Sequence, residues 1–139
     1  MEDKRPIVGV ALIVKKDNHI LMGKRLGSRG ANKYSTPGGH VEVGELLLTA
    51  VIREFKEEVG TNLIFSAPQY IEFTEDIYPD AHYITHFFMS KYLEGEPELL
   101  EPHKCEAWNW YPIDLLKSGQ PNPMFKPCKT LFVDWAYFS

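Results

Sequence analysis

The chain is poor in cysteine: Cys105 and Cys128 are its only two, with no CxxC spacing. Neither a disulfide framework nor a thiolate cage for zinc is built from so few, and both thiols are expected reduced and partly buried. His82, His86 and His103 show no zinc-ligand spacing with the cysteines either, so zinc is rejected. Long apolar runs are missing. Nothing approaches the 18 residues that a membrane span needs, and the opening MEDKRP is charged where a signal peptide would be apolar. A cytoplasmic protein without membrane contact is expected. Basic charge is also short, with 15 Lys and Arg against 19 Asp and Glu and a net charge of −4. Duplex nucleic acid, which needs a basic face to displace counterions, is therefore excluded as a partner, whereas a small phosphorylated ligand needs only a few cations. Repeats, low-complexity runs and linkers are absent too. With 44% hydrophobic residues in 139, the expectation is one globular domain over 1–139.

What the chain does hold is concentrated between Gly38 and Thr61, GGHVEVGELLLTAVIREFKEEVGT. Pro37-Gly38-Gly39 signals a loop, Glu45 opens an apolar-periodic run, and Gly60 stands where a left-handed glycine ends a helix. The spacing predicts a helix over 45–59. At about 100° per residue, Leu48, Val51, Ile52, Phe55 and Val59 share one side, with Glu54, Glu57 and Glu58 together beside it. Arg53 and Glu57 form an i,i+4 pair of opposite sign, and Glu54 and Glu58 one of like sign. Clustered carboxylates repel, so a cation is expected among them. One or two carboxylates completed by waters and a phosphate describe Mg²⁺ rather than a closed protein cage, with a backbone carbonyl supplied by the preceding loop. A solvated acidic face is the plainer reading of three glutamates alone. It does not account for the full spacing, whose seven fixed letters recur by chance on the order of once in 10⁸ starting positions.

Around this stretch, Ile7 to Val14 reads as a central strand, Asp17-Asn18 as a turn and Ile20 to Lys24 as the returning strand. LGSRGANKYSTPGG is a long loop; Lys24 and Arg25 just before it, with Arg29 and Lys33 within it, make the densest basic cluster in the chain. Arg25, at a strand end facing the acidic helix, is the candidate phosphate clamp. Leu63 to Phe73 is strand-like but interrupted by Pro68, and Glu75 to Asp80 reads as a turn-rich link. In HYITHFFMSKYL, alternation puts Tyr83, Thr85, Phe87 and Met89 on one face and His82, Ile84, His86 and Phe88 on the other. An acidic loop over 94–103 precedes a strand from Cys105 to Pro112 with Trp108 and Trp110 on a shared face. Apolar spacing from Met124 to Phe138 predicts a final helix. Strands, a helix, more strands and a last helix give an α/β mixed sheet with helices on its faces.

The string Gly39, five residues, Glu45, seven residues, then Arg53-Glu54-Phe55-Lys56-Glu57-Glu58-Val59-Gly60 resembles the Nudix box, G-x5-E-x7-R-E-U-x-E-E-x-G-U, in which U is bulky and aliphatic. All seven fixed letters match, while Phe55 and Thr61 are looser at the U positions. LMGKRLGS, PGGHVEVGE, HYIT and EPHKCEAWNWYP extend the resemblance over most of residues 5–112. They resemble the MutT-like branch, oxidised-purine and thiopurine nucleotide diphosphatases and the plant dihydroneopterin triphosphate pyrophosphatase. The resemblance implies the Nudix α/β/α sandwich and a metal site on the Gly38 carbonyl, Glu54 and Glu58, with Glu57 binding metal or water. It gives Glu45 and Arg53 positioning roles within the catalytic set of Glu57, Glu54, Arg53 and Glu45. It also implies substrate contacts at Arg25 beside the triphosphate, at Gly39 and Thr36, at Thr85 beside the base and at Phe125 lining the base pocket. Thr36 stands where this branch carries leucine. Read from the residues alone, Thr85 is a strand position, and Phe125, Trp108 and Trp110 are core or contact aromatics.

The activity so implied is Mg²⁺-dependent hydrolysis, with Mn²⁺ as an alternative ion, of a nucleoside triphosphate to monophosphate and pyrophosphate. A glutamate of the cluster would take the proton of the attacking water. Another nucleoside diphosphate-X substrate, such as a nucleotide sugar, ADP-ribose or a dinucleoside polyphosphate, is the alternative within enzymes. A ligand-sensing module without turnover is the alternative outside them, and such a module has no need of all four box glutamates. Thirteen percent aromatic residues and the habit of this branch add the expectation of a homodimer.

Overall fold

The structure, a computed structural model, describes residues 5–27 and 30–138. β1 (Ile7–Lys16) and β2 (His19–Arg25) form the expected hairpin, and the loop after them contributes β3 (Tyr34–Ser35) and β4 (Gly38–His40). Helix α1 (Leu47–Val59) follows, then β5 (Ile64–Phe65), β6 (Gln69–Tyr78), β7 (Ala81–Glu94) and β8 (Cys105–Pro112). Short helices α2 (Ile113–Lys117) and α3 (Lys126–Lys129) end the chain, α3 widening into a π-helical turn over Thr130–Asp134. β1 runs parallel to β7 and antiparallel to β2 and β4, while β8 lies along β2 and β6 along β7. The sheet is therefore mixed.

Alternation along the central strands divides the core in two. Val10, Leu12, Val14, Leu21 and Phe88 face α1, where Ala50, Val51, Phe55 and Val59 meet them. Ala11, Ile13, Ile20, Met22 and Phe87 face Leu116, Cys128, Leu131 and Phe132 of the C-terminal helices. Helices thus cover both faces, as expected for the sandwich. Trp108 and Trp110 do share a face, the α1 side.

Local differences from the sequence reading have physical causes. α1 begins at Leu47 rather than Glu45, because the Glu45 carboxylate is engaged with Glu42 and Arg53 instead of the first helical turn. Gly60 ends the helix at positive φ, but with φ 91° and ψ −168° it lies in a glycine-only extended region and not the left-handed helical one. Leu48 is 44% exposed and Ala50 takes the buried position. Glu75 to Tyr78 belongs to β6: the hairpin pairs Tyr78 with Ala81 and leaves only Pro79-Asp80 as its loop. Backbone pairing along β7 recruits these polar residues into a strand that their composition does not suggest. The final helix is shorter than Met124–Phe138. The Tyr34 amide donates to the Pro123 carbonyl and the Phe125 amide to the Tyr34 carbonyl, which holds Met124 and Phe125 against β3.

Phe55 packs edge-on against Phe65 with ring centroids 4.9 Å apart. Phe55→Ala is expected to cost about 3–5 kcal/mol, whereas Leu48→Ala should stay within about 0.5 kcal/mol. Urea unfolding of the two variants measures both, and equal losses would contradict the register of α1.

Candidate active site

The loop before α1 is fastened to the helix by Arg53. Its Nε donates to Glu45 Oε2 at 2.6 Å and its Nη2 to Glu45 Oε1 at 3.0 Å, a bidentate pair. Nη2 also reaches the His40 carbonyl at 3.0 Å, while Nη1 donates to Glu54 Oε1 at 3.0 Å and Glu57 Oε1 at 3.2 Å. The i,i+4 contact to Glu57 is thus the longest of five. Glu45 also accepts from the Glu42 amide at 3.0 Å. The Arg53 guanidinium, helped by that amide, holds the Glu45 carboxyl down at about 2. Its acidic partners in turn raise Arg53.

Glu54 and Glu58 turn inward toward the glycine pair. Glu58 Oε1 accepts from the Gly38 amide at 3.0 Å, and a Cβ on Gly39 would collide with the Glu54 carboxylate. Burial first, then the neighbouring charges of Glu54 and Glu101, push Glu58 up to about 8. Burial also raises Glu54, against the pull of Arg53. Trp108 closes the far side, its Nε1 donating to the Glu58 carbonyl at 3.4 Å. Among the described residues no three His, Cys, Asp or Glu side chains gather into a cage for a metal ion. The donors present, two half-dehydrated carboxylates of like charge against the half-buried backbone of β4, fit a hard divalent cation that keeps waters and substrate oxygens. Glu57 stands apart, exposed and turned to Arg53.

Two adjoining clefts meet here. One, of about 480 Å³, is lined by Glu54, Glu58, Glu101 and Lys104. The other, of about 220 Å³, is lined by Thr85, Phe125, Tyr78 and Tyr83. Arg25, Thr36, Gly38, Gly39 and His40 border both. Arg25, the last residue of β2, lies over the Phe125 ring at 4.3 Å. The five residues named for substrate from the sequence, Arg25, Thr36, Gly39, Thr85 and Phe125, are therefore brought to one chamber. Thr36 is buried in its wall, with its hydroxyl 3.9 Å from Cys128 Sγ. Of the other basic residues, Lys24 pairs with Glu106 at 3.8 Å and Lys33 is exposed and borders neither cleft, while Arg29 lies outside the described residues.

Sequence reasoning missed Glu101, Asp76, Tyr83 and His40 as members of the site. Glu101 comes from the acidic 94–103 loop and sits 3.5 Å from Lys104. Asp76 became visible only once Glu75–Tyr78 proved to be strand, since alternation then turns Thr74, Asp76 and Tyr78 inward. His40 follows the glycine pair, and burial and the charge of Arg25 lower its pKa.

Residues 3–135 match the NUDIX domain family. Over 98 residues the chain is 35% identical to the 8-oxo-dGTP diphosphatase of Escherichia coli K12, covering 68% of this chain and 72% of that one. Over 91 residues it is 36% identical to the ADP-ribose pyrophosphatase of Methanocaldococcus jannaschii, covering 66% and 54%. Among solved structures, the MutT NUDIX hydrolase from Burkholderia pseudomallei superposes with a TM-score of 0.78 at 27% identity, covering 88% of this chain and 92% of that one. With the box residues folded into a shared acidic turn and the match running nearly end to end, the chain belongs to the NUDIX family of pyrophosphohydrolases.

Proposed function

We propose that this NUDIX domain hydrolyses a nucleoside triphosphate to the monophosphate and pyrophosphate, with Mg²⁺, or Mn²⁺ in its place, held by Glu54, Glu58 and the backbone at Gly38. The observation that carries this reading is the adjacency of the two clefts. The glutamate cleft suits polyphosphate, the aromatic chamber suits a base, and Arg25 stands at their junction. When bound, the divalent ion supplies charge neutralisation on the phosphates and acidifies the attacking water. Arg25 clamps phosphate oxygen, Arg53 and Glu45 hold the loop in register, and Thr36, Gly39, Thr85 and Phe125 bound the nucleoside. Glu54, beside the glycine pair, and Glu57, held outward by Arg53, are the proposed proton acceptors, and no side-chain nucleophile is needed. Among the described residues no helix is long and apolar enough to cross a membrane. A cytoplasmic nucleotide pool is the proposed source of substrate.

The second reading, a nucleoside diphosphate-X substrate, draws on the comparable identity to the archaeal ADP-ribose pyrophosphatase. Chromatography of products from a Mg²⁺-supplied panel of nucleoside triphosphates, nucleotide sugars and ADP-ribose separates them. Monophosphate plus pyrophosphate is expected. Diphosphate plus orthophosphate, or turnover of the sugars alone, would overturn the triphosphate assignment.

Glu58→Gln is expected to lower Mg²⁺-dependent turnover at least ~100-fold while leaving the fold intact. Its effect on stability has a definite sign. The folded, metal-free protein keeps the Glu58 proton up to about pH 8, whereas the unfolded chain releases it near 4.5. The folded state therefore binds more protons between those values, and metal-free stability falls as pH rises through that window. Glu58→Gln should flatten this decline, and added Mg²⁺ should offset it in the wild type. Thermal melts from pH 5 to 8.5, with and without Mg²⁺, read both effects; near-normal turnover in the variant would remove the proposed role.

We also propose a homodimer through the outward face of β6, an edge strand on which Phe73 is 43% and Ile77 73% exposed. A monomer mass by light scattering at micromolar concentration would exclude it.

A further inference from the structure

Among the described residues Asp76 is the one carboxylate of the aromatic chamber, and neither the metal turn nor the phosphate path uses it. It is 2% exposed, it lines the 220 Å³ cleft, and both of its carboxylate oxygens are buried without a hydrogen-bond partner. Its nearest counter-charge is Lys126, whose Nζ lies 3.5 Å from Oδ1 and also sits over the Tyr78 ring at 5.4 Å. That ammonium balances charge from the half-exposed rim without satisfying the oxygens. Buried carboxylate oxygens are ordinarily hydrogen-bonded, because stripping their water without replacement is costly. One whose oxygens lack donors and that faces a cavity marks a place where a ligand supplies them.

The surroundings define that ligand. Asp76 pairs across the hairpin with Tyr83, and Thr74, also buried with an unpartnered hydroxyl, pairs with Thr85. Tyr78, Tyr83 and Phe125 supply flat apolar walls to the same chamber. An ionised carboxylate accepts and never donates, so among base edges it is best matched by one that presents two adjacent N–H groups. Adenine and cytosine present a donor beside an acceptor, and uracil a single N–H between two carbonyls. The 2-amino-oxo edge of guanine, with its ring N–H beside an exocyclic amine, presents two donors in line. A pterin carries the same edge on a different fused ring.

We propose that Asp76 is the specificity-determining residue of the base chamber and selects a ligand with a 2-amino-oxo edge, guanine-type over hypoxanthine or adenine. This rests on the reading that the chamber seats the base. The Asp76 carboxylate accepts both N–H donors, and a base lacking either one leaves a buried oxygen unsatisfied, which is the stronger mode of discrimination.

Equilibrium binding of monophosphates tests this without turnover, so a failure of the triphosphate assignment leaves the result readable. Calorimetry on the full chain with GMP, IMP and AMP should give GMP at least about 30-fold tighter than IMP, the ratio expected for one hydrogen bond to a charged group. In Asp76→Asn that ratio should fall to within about threefold, with AMP gaining on GMP because a carboxamide presents one donor and one acceptor. A merely structural role would weaken all three ligands alike, and the melting temperature of the variant reports any loss of fold. Wild-type protein that binds IMP as well as GMP, an unchanged ratio in the variant, or no measurable GMP binding would each overturn the proposal. Neopterin monophosphate in place of GMP distinguishes the sources: tighter binding of one or the other assigns the edge to the pteridine or to the purine.

Discussion

The site depends on one guanidinium reaching four groups at once. Arg53 ties Glu45, Glu54, Glu57 and the His40 carbonyl together, so a loop without regular structure is held to a helix by a planar fork of donors. Lysine carries a single ammonium and could not span this set. Because the fork takes Glu45 in both its oxygens, the loop of 40–45 is fixed before α1 begins, and the glycine pair is held against the helix. Glu54 is oriented by the same contact. Glu58, one turn on, accepts only from the Gly38 amide, and burial, then the charge of Glu54, hold its proton much more tightly than that of Glu45.

Close approach is the second constraint, and it follows from the first. A side chain at Gly39 would occupy the space of the Glu54 carboxylate, and one at Gly38 would strike the Val10 carbonyl of β1. Absence of Cβ atoms at both positions lets backbone and carboxylates meet in a space from which water is largely removed. Dehydration disfavours the charged forms of Glu54 and Glu58. The fold thus tolerates a locally unfavourable arrangement, which the hydrophobic packing of α1 through Val51, Phe55 and Val59 offsets.

This division explains what was legible in the sequence. The box was readable because its chemistry is local: Arg53, Glu54, Glu57 and Glu58 lie within two helical turns, and Gly39 and Glu45 close the loop onto them. The central strand was readable because Ile7 to Val14 is a continuous, largely β-branched apolar run. Glu101 and Asp76 were not, since each joins the site only through tertiary pairing. Glu101 arrives on a loop with no periodicity. Asp76 sits in a segment whose Glu, Asp and Pro content signals a turn until the hairpin with β7 sets its register. Phe125 lines the smaller cleft for a reason absent from the apolar spacing of 124–138: the strand-like bridge from Tyr34 to Met124 holds it out of the last helix.

Charge explains why the two clefts are joined as they are. The chain is acidic overall, and the larger cleft gathers Glu54, Glu58 and Glu101, a poor surface for a polyphosphate by itself. Arg25 borders both clefts and Lys104 lines the larger one, while burial holds Glu54 and Glu58 toward their protonated forms. On the proposed reading, a divalent ion between those two carboxylates would favour their charged forms and supply the positive charge that a polyphosphate needs there. The base chamber carries no such requirement, because Asp76 is countered by Lys126 and presents acceptors rather than a net field. On the proposed reading, recognition of the base and neutralisation of the phosphates would be separated across Arg25, so that the smaller cleft could set specificity without altering the acidity of Glu54 and Glu58.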